Sequence, residues 1–362
     1  MFLNKLDRYI LRKFLGTYFY AIALLTVLVV IFDLSERLDD FLANQAPVEG
    51  IIFDYYLNFV PYIINLFSGL FTFIAVIFFT SKMTAHSEII AILSSGVSYR
   101  RFLRPYFVGG ILIALLSFYL INWVIPHATA RRLEFEEKYY RESAYQNRER
   151  NIHRQIQPGV YIYMQSYNTA LNIGYKFTLE RFENQRLKEK IVSDYIKWDT
   201  TKKCWTIYNY YQRQYDSISE SLTTGASKDT LLPNFDYRDY SSRIQMIETL
   251  NFGELMNYIE KQRLSGTSNI AVYKIEKHKR LALPFASIIL SIMGVCISSE
   301  KRRGGMGLNL GLGLALAFSY IMMLQVTQVF AINAGFNPLL SLWIPNVIYM
   351  IITFLLYKRA SR

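Results

Sequence analysis

The chain has 362 residues, of which 52% are apolar and 19% charged, and it carries two cysteines. That apolar content excludes a disordered chain, and so few cysteines exclude a small disulfide scaffold. Forty basic against 28 acidic residues give a net charge of +12, which suits nucleic acid or a membrane surface; the location of the charges decides which.

Read in chain order, the apolar residues gather into six runs longer than a soluble core needs. The predicted spans cover roughly 14–32, 56–79, 106–125, 281–298, 307–330 and 339–357. At ~18–24 residues each they reach ~27–36 Å, matching a hydrocarbon core of ~30 Å. The first run follows Lys5, Arg8, Arg12 and Lys13, like the basic start of a signal peptide. It is too long for an h-region and no A-x-A site follows it, so it reads as an uncleaved anchor.

Charge orients the spans. Segments 1–13, 81–104, 299–306 and 358–362 hold fourteen basic and three acidic residues. The opposite loop, 33–54, holds one basic residue, Arg37, and six acidic ones, while 331–337 is uncharged. The positive-inside rule then puts both termini in the cytoplasm and the long segment 127–280 outside. That segment carries 25 basic and 19 acidic residues, which is no contradiction because long translocated domains do not obey the rule. Its position between spans argues against nucleic acid.

Within it, 127–150 reads as a charged helix extending the third span. From about 153 the texture changes, and half of the 28 tyrosines lie between 139 and 245. Runs at 160–165, 175–181, 190–198 and 204–212 alternate and are rich in β-branched and aromatic residues, with turn clusters between them. They predict a β-sheet domain of roughly 90–100 residues. A helical pattern returns at 252–264, and 270–280 leads into the fourth span. Such a sheet serves either as a stabilising or partner-docking module or as a holder of an apolar ligand or acyl chain. Alternation does not choose, because any sandwich needs an apolar inner face. The organisation is therefore 1–126 (three spans with a cytoplasmic helix at about 84–99), 127–280 (external domain with a β core at about 150–250) and 281–362 (three spans).

Several chemistries have no residues to carry them. No P-loop is present. His86, His127, His153 and His278 are scattered without metal-ligand spacing, and Cys204 and Cys296 lie in compartments that do not let them pair. No nucleophilic triad can be argued. The sequence thus offers no catalytic residue, metal site or cofactor site, and uphill transport would draw its energy from another chain.

Four features remain. The cytoplasmic stretch from Glu88 through Ile89, Ile90, Ile92 and Leu93 to Gly96 is amphipathic, and Arg100, Arg101 and Arg104 precede Pro105. It fits an interfacial helix with arginines on anionic headgroups, or a coupling helix seated in a groove on a cytoplasmic partner. The fifth span carries Gly307, Gly311, Ala315 and Ser319 at four-residue spacing, which allows close packing or forms a seam between subunits. Asn65, Asn309, Gln325 and Gln328 hydrogen-bond inside the bundle or line a path. Arg131, Arg132, Lys274, Lys277, Lys279 and Arg280 crowd the outer border. They bind phosphates of an amphiphile, or contact headgroups and pair with Glu134, Glu136, Glu137 and Glu276.

Four stretches resemble the LptF/LptG lipopolysaccharide-export permeases. They are Leu6-Asp7-Arg8-Tyr9-Ile10, Ser87-Glu88-Ile89-Ile90-Ala91-Ile92-Leu93-Ser94-Ser95-Gly96-Val97-Ser98, Trp123-Val124-Ile125-Pro126 and Arg302-Arg303-Gly304-Gly305-Met306-Gly307-Leu308. With the three-plus-three spans around one insert, the resemblance covers essentially the whole chain, and the opening motif leans toward LptG. It implies a six-helix membrane bundle with an inserted periplasmic all-β, jellyroll-like domain. The implied role is a non-catalytic permease subunit of an ATP-binding-cassette exporter in the bacterial inner membrane, without a cofactor. The implied partners are an LptB ATPase dimer, a second LptF/LptG-type permease, LptC and an LptA-type bridge, with lipopolysaccharide as cargo.

By the same resemblance, Glu88 falls on the family's acidic coupling position. Glu88, Ile89, Ala91, Ile92, Leu93, Gly96, Arg100 and Arg101 engage the ATPase, and the first and fifth spans form the subunit seams. One departure stands out: LptG members carry lysines just after the first span, where this chain reads Ser35-Glu36-Arg37-Leu38-Asp39-Asp40. Only Arg37 keeps the charge, so phosphate binding shifts to 131–132 and 274–280, or to the partner, or the lipid has fewer phosphates. Two other readings are a mechanotransmission protein that moves a periplasmic partner, and a structural or receptor protein with no ATPase.

Overall fold

The computed structural model describes residues 4–139, 150–216, 219–232, 235, 237, 244–264, 270–300 and 305–361. The chain divides into two compact units, a helical one built from both ends of the sequence and a β-rich one inserted between them.

In the helical unit six apolar runs are long enough to cross a membrane: Lys5–Ala43, Val48–Ala85, Tyr99–Tyr139, Ile270–Ser298, Gly305–Asn333 and Pro338–Ala360. Each contains one of the predicted spans. The first is far longer than its apolar stretch, with 39 residues, or ~58 Å at 1.5 Å per residue. The segment after residue 32, expected as a loop, therefore stays helical to Ala43. The reason is local packing: Phe41 is buried against Tyr55 and Phe135, which holds the polar extension to the second and third runs. Those two runs are also uneven. Widened π turns at Ile51–Tyr56 and Leu120–Val124 rotate the face that each helix presents.

The core of this unit starts from an apolar stripe. Ile10, Phe14, Tyr18 and Ile22, at helical spacing, pack on Val76, Phe79 and Met83 of the second run and on Tyr106 and Ile113 of the third. Gly109 permits the closest approach, because a Cβ there would run into the Phe14 ring and lie 3.1 Å from Leu11. Several polar side chains inside pair with one another, which lowers the cost of placing them in a bilayer. Ser117 donates to Asn65 Oδ1 (2.6 Å), and Asn309 Nδ2 donates to Ser81 (3.1 Å).

The β unit holds β1 (Arg150–Gln157), β2 (Val160–Asn168), β3 (Ile173–Tyr175), β4 (Thr178–Glu183), β5 (Arg186–Asp199), β6 (Cys204–Tyr215) and β7 (Glu220–Thr230). All pairings are antiparallel, and β3 and β4 both lie between β2 and β5. They are two halves of one interrupted strand. One face carries the core, with Ile152, Ile162, Met164, Leu179, Ile196, Trp205 and Ile207 buried together. The sheet covers this face by rolling, barrel-fashion, and by accepting Phe235. The Trp205 Nε1–H donates to the Phe235 carbonyl (2.8 Å), and the two rings lie 4.5 Å apart.

The roll has a crease. Asn151, Lys176 and Asn209 have left-handed φ values of 55°, 52° and 50°. They sit at one level of β1, of the β3–β4 junction and of β6. Lys176 N–H donates to the Asp194 carbonyl (2.7 Å) and Asn209 Nδ2 to Asp194 Oδ2 (3.1 Å). Left-handed residues at one level break the pleat of the strands that carry them.

Candidate functional site

The second membrane run ends at Ala85, and Ser87 takes a left-handed φ of 59° to start a separate short helix, Glu88–Ser94. Gly96, at φ 87°, turns the chain out of it; this angle, rather than lack of space, calls for glycine. At 100° per residue the run Ile89-Ile90-Ala91-Ile92-Leu93 splits between two faces. Ile89 is buried, and Ile92 and Leu93 pack on the same cluster as Phe79 and Met83. Ile90 points outward, 52% exposed, beside exposed Ala91, Ser94 and Ser95. Glu88 is half-buried at the first turn.

The flanks of this short helix are tied down. Thr84 Oγ1 donates to the Ser298 carbonyl (2.6 Å), and the Tyr99 and Ser299 hydroxyls share a hydrogen bond (2.9 Å). Thr80 Oγ1 donates to the Tyr106 hydroxyl (3.1 Å). Arg101 Nη2 lies 3.6 Å from buried Asp7, whose carboxylate also accepts the Asn4 N–H (3.0 Å). The loop helix is thereby joined to the first, second, third and fourth membrane helices. These contacts suit transmission of a displacement to all four, because a packed interior transmits strain.

The chain thus holds six apolar helices, an inserted sheet and a braced loop helix with Ile90 and Ala91 facing out. A family model, described as lipopolysaccharide export system permease LptF/LptG, matches residues 8–359. The chain belongs to the LptF/LptG family. A comparison with curated proteins gives no match. Family and helices together make the chain a multi-pass inner-membrane protein, and the family is that of the permease subunits of lipopolysaccharide export. The match does not distinguish LptF from LptG.

In this LptF/LptG-family chain the basic residues expected to meet phosphate take two kinds of position. Arg37 Nε lies 2.8 Å from Asp33 Oδ1, with its guanidinium 5.4 Å over the Tyr55 ring; the Tyr55 and Tyr56 hydroxyls donate to the other Asp33 oxygen (3.0 and 3.2 Å). Arg132 Nε is 3.2 Å from Glu136, and its guanidinium lies 5.4 Å over both Phe59 and Tyr62. Arg280 is fully buried, with Nε 3.5 Å from Glu276, and Lys279 Nζ is 3.4 Å from the same carboxylate. Glu248 lies beside them. Burial pushes its carboxyl above the ordinary range; Lys279 opposes the shift and Glu276 adds to it. The cavity among Tyr62, Asn65, Glu248, Glu276 and Lys279 holds about 30 Å³, room for a water rather than a phosphate group. Arg131 is exposed and Lys274 and Lys277 are half-exposed. These cations thus fall into two sets: Arg37, Arg132, Lys279 and Arg280 beside carboxylates of the chain itself, and exposed Arg131 with half-exposed Lys274 and Lys277.

On the fifth helix Gly307, Gly311, Ala315 and Ser319 are all exposed, with open space beyond Gly307 and Gly311. The opposite face, with Asn309, Gly313, Ala317, Tyr320 and Leu324, is buried. Arg302, Arg303 and Gly304 of the glycine motif lie outside the described residues. Among the described residues no three His, Cys, Asp or Glu side chains converge to hold a metal ion. Ile90 is absent from the site set read from the sequence. Five apolar neighbours in a row hide which one faces out, and the contacts of Ile89, Ile92 and Leu93 reveal it.

Proposed function

We propose that this chain is the membrane half of an ATP-driven extractor of lipopolysaccharide, with both termini cytoplasmic and the β domain periplasmic. The observation that carries the reading is the loop helix. It presents Ile90 and Ala91 outward while its flanks are bonded to four membrane helices. Seating Ile90 in an apolar groove of an LptB-type ATPase dimer would recover ~1–2 kcal/mol per copy, given its half-exposed state, and Glu88 would meet a cation at the groove's rim. Closure of the ATPase would then move the bundle as one body. The bare faces of the first and fifth helices would meet a second LptF/LptG-type permease, and narrowing of the space between them would drive the lipid outward. Arg131, Lys274 and Lys277 would meet its phosphates. The lipid would pass to the β domain and on to LptC and an LptA-type bridge; acyl entry into the β roll requires Phe235 to part from Trp205. In this scheme the chain hydrolyses nothing itself.

The test is co-purification. Co-expressed with the candidate ATPase, wild-type protein should hold it through detergent extraction, and Glu88→Lys and Ile90→Asp should each release it. Lys202→Ala, in the β unit, should not. An ATPase that never associates, or that ignores both loop variants, would remove the energy source from this scheme.

A further inference from the structure

The face of the sheet turned away from its core carries a second arrangement. Cross-strand pairing puts Ser166, Tyr175, Tyr195 and Tyr208 in one row over β2, β3, β5 and β6. Their chain neighbours Gly174, Ile196 and Ile207 point to the core: a Cβ on Gly174 would meet Met164, and both isoleucines are fully buried. The tyrosines therefore lie on the opposite face. Tyr195 and Tyr208 stack at 4.7 Å with only 14° between their planes, and Tyr175 stands 39% exposed beside them.

The crease runs next to this row. An open trough of about 550 Å³ lies over it, lined by Arg150, Gln165, Tyr175, Lys176, Asp194 and Tyr195. That volume is within the usual range for small-molecule sites. Asp194 is oriented in advance: Asn209 Nδ2 donates to it at 3.1 Å, and Lys176 Nζ is 3.6 Å away. Lys176 itself holds a left-handed φ of 52°. This backbone region is sparsely used by long side chains, and such residues cluster at ligand sites.

We propose that this trough binds a saccharide. The lining selects against other ligands. An acyl chain would strip water from Arg150, Gln165 and Asp194 and offer them no hydrogen bond in return. A bare phosphate would face the Asp194 carboxylate. A β-strand peptide needs a free sheet edge for backbone pairing, and the trough lies on a sheet face. A sugar ring offers both surfaces that the trough presents. Its C–H face lies flat on a tyrosine ring. Its hydroxyls, each a donor and an acceptor, pair with a carboxylate, an amide and a guanidinium. The inference does not rest on ATPase coupling. A saccharide borne on an exported lipid and a cell-wall glycan present the same chemistry, and the experiment separates them.

The full chain, in lipid nanodiscs, is titrated calorimetrically with two probes. One is the lipid-free core oligosaccharide released from lipopolysaccharide by mild acid; the other is a mixture of disaccharide-peptide fragments of peptidoglycan. Saturable binding of either supports the site, and the tighter probe names the source. Tyr175→Ala and Asp194→Ala should each weaken binding about tenfold, the scale of one lost charge-assisted hydrogen bond or stacking contact. Both side chains are exposed, so circular dichroism should report an unchanged sheet; Gln165→Ala, also exposed, serves as the replacement if one of them does not fold. Absence of heat from both probes at about 10 mM, a concentration that detects even millimolar affinity, would overturn the proposal. So would binding that survives both substitutions unchanged.

Discussion

The fourth and fifth membrane helices are each 29 residues long and apolar enough to span a bilayer, yet 67% of the fourth helix's most apolar window is buried inside the chain against 22% of the fifth's. The first helix shares the low figure, 22%. Apolarity alone reports that a helix crosses a membrane; burial reports what it crosses beside. The fourth helix meets its own chain along two adjoining stripes, Ala282, Ala286, Leu290 and Met293 on one and Ser287, Ser291 and Val295 on the other. Among the described residues the fifth meets it along a stripe from Asn309 to Ala331 and leaves a face of small residues bare. Since lipid tails are as apolar as leucine, a bare apolar face needs no cover. A face of Gly, Gly, Ala and Ser is different, because it favours close backbone approach by another helix.

This contrast can be broken most severely within the fifth helix itself. Gly313 faces inward, and a Cβ there would meet Ile77, itself buried. Gly313→Leu should destabilise the protein by about 1–3 kcal/mol through overpacking, read as a lower unfolding midpoint in a denaturing-detergent titration. Two residues away, Gly311→Leu has open space and should leave that midpoint within about 0.5 kcal/mol of wild type. Equal effects at the two glycines would erase the distinction between the faces.

A milder change tests the bond between the two helices. Asn346 of the sixth helix, fully buried, donates Nδ2 to the Ala282 carbonyl of the fourth (3.0 Å) and accepts the Tyr320 hydroxyl of the fifth (2.9 Å). Asn346→Ala should cost about 0.6–1.7 kcal/mol, the range of hydrogen bonds between membrane helices, in the same titration.

The smallest effect lies near the N-terminal part of the fourth helix, where Glu248 meets Glu276 and Lys279. A carboxyl raised in the folded state above its ordinary 4.5 binds protons more readily when folded. Its unfavourable contribution is thus present at neutral pH and is relieved as pH falls through the raised value. Wild-type protein should gain thermal stability relative to Glu248→Gln as pH is lowered from neutral toward that window. A difference that stays flat with pH would show that the carboxylate is fully compensated.

Much of this was legible in the sequence. Runs of apolar residues marked all six crossings, and alternation marked β2, β4, β5 and β6. What escaped has a physical reason in each case. The run of β7, Glu220–Thr230, is mostly exposed and so has no apolar alternation to read. The crease depends on backbone angles at Asn151, Lys176 and Asn209 that no spacing announces. The helical extension to Ala43 rests on Phe41 finding Tyr55 and Phe135, contacts made at a distance in sequence. For Arg132, Lys279 and Arg280 the sequence offers both phosphate binding and pairing with Glu136 and Glu276, and the folded helices place those carboxylates alongside; Asp33 as the partner of Arg37 went unread, because it needs the helix to continue past residue 32. The loop helix was found by its motif, whereas its outward residue, Ile90, needed the packing of its neighbours.

The contrast between the two helices is tested most directly by cross-linking in the membrane. Cys204 and Cys296, both buried, are first replaced by serine or alanine, and the partner permease is co-expressed with a matching cysteine on its fifth or first helix. Gly311→Cys should then give an inter-chain disulfide on mild oxidation, running at the mass of two permease chains, while Gly313→Cys gives none. An intact complex in which Gly311→Cys never cross-links, whichever partner helix carries the second cysteine, would mean that the bare face meets lipid and that the subunit seam lies elsewhere.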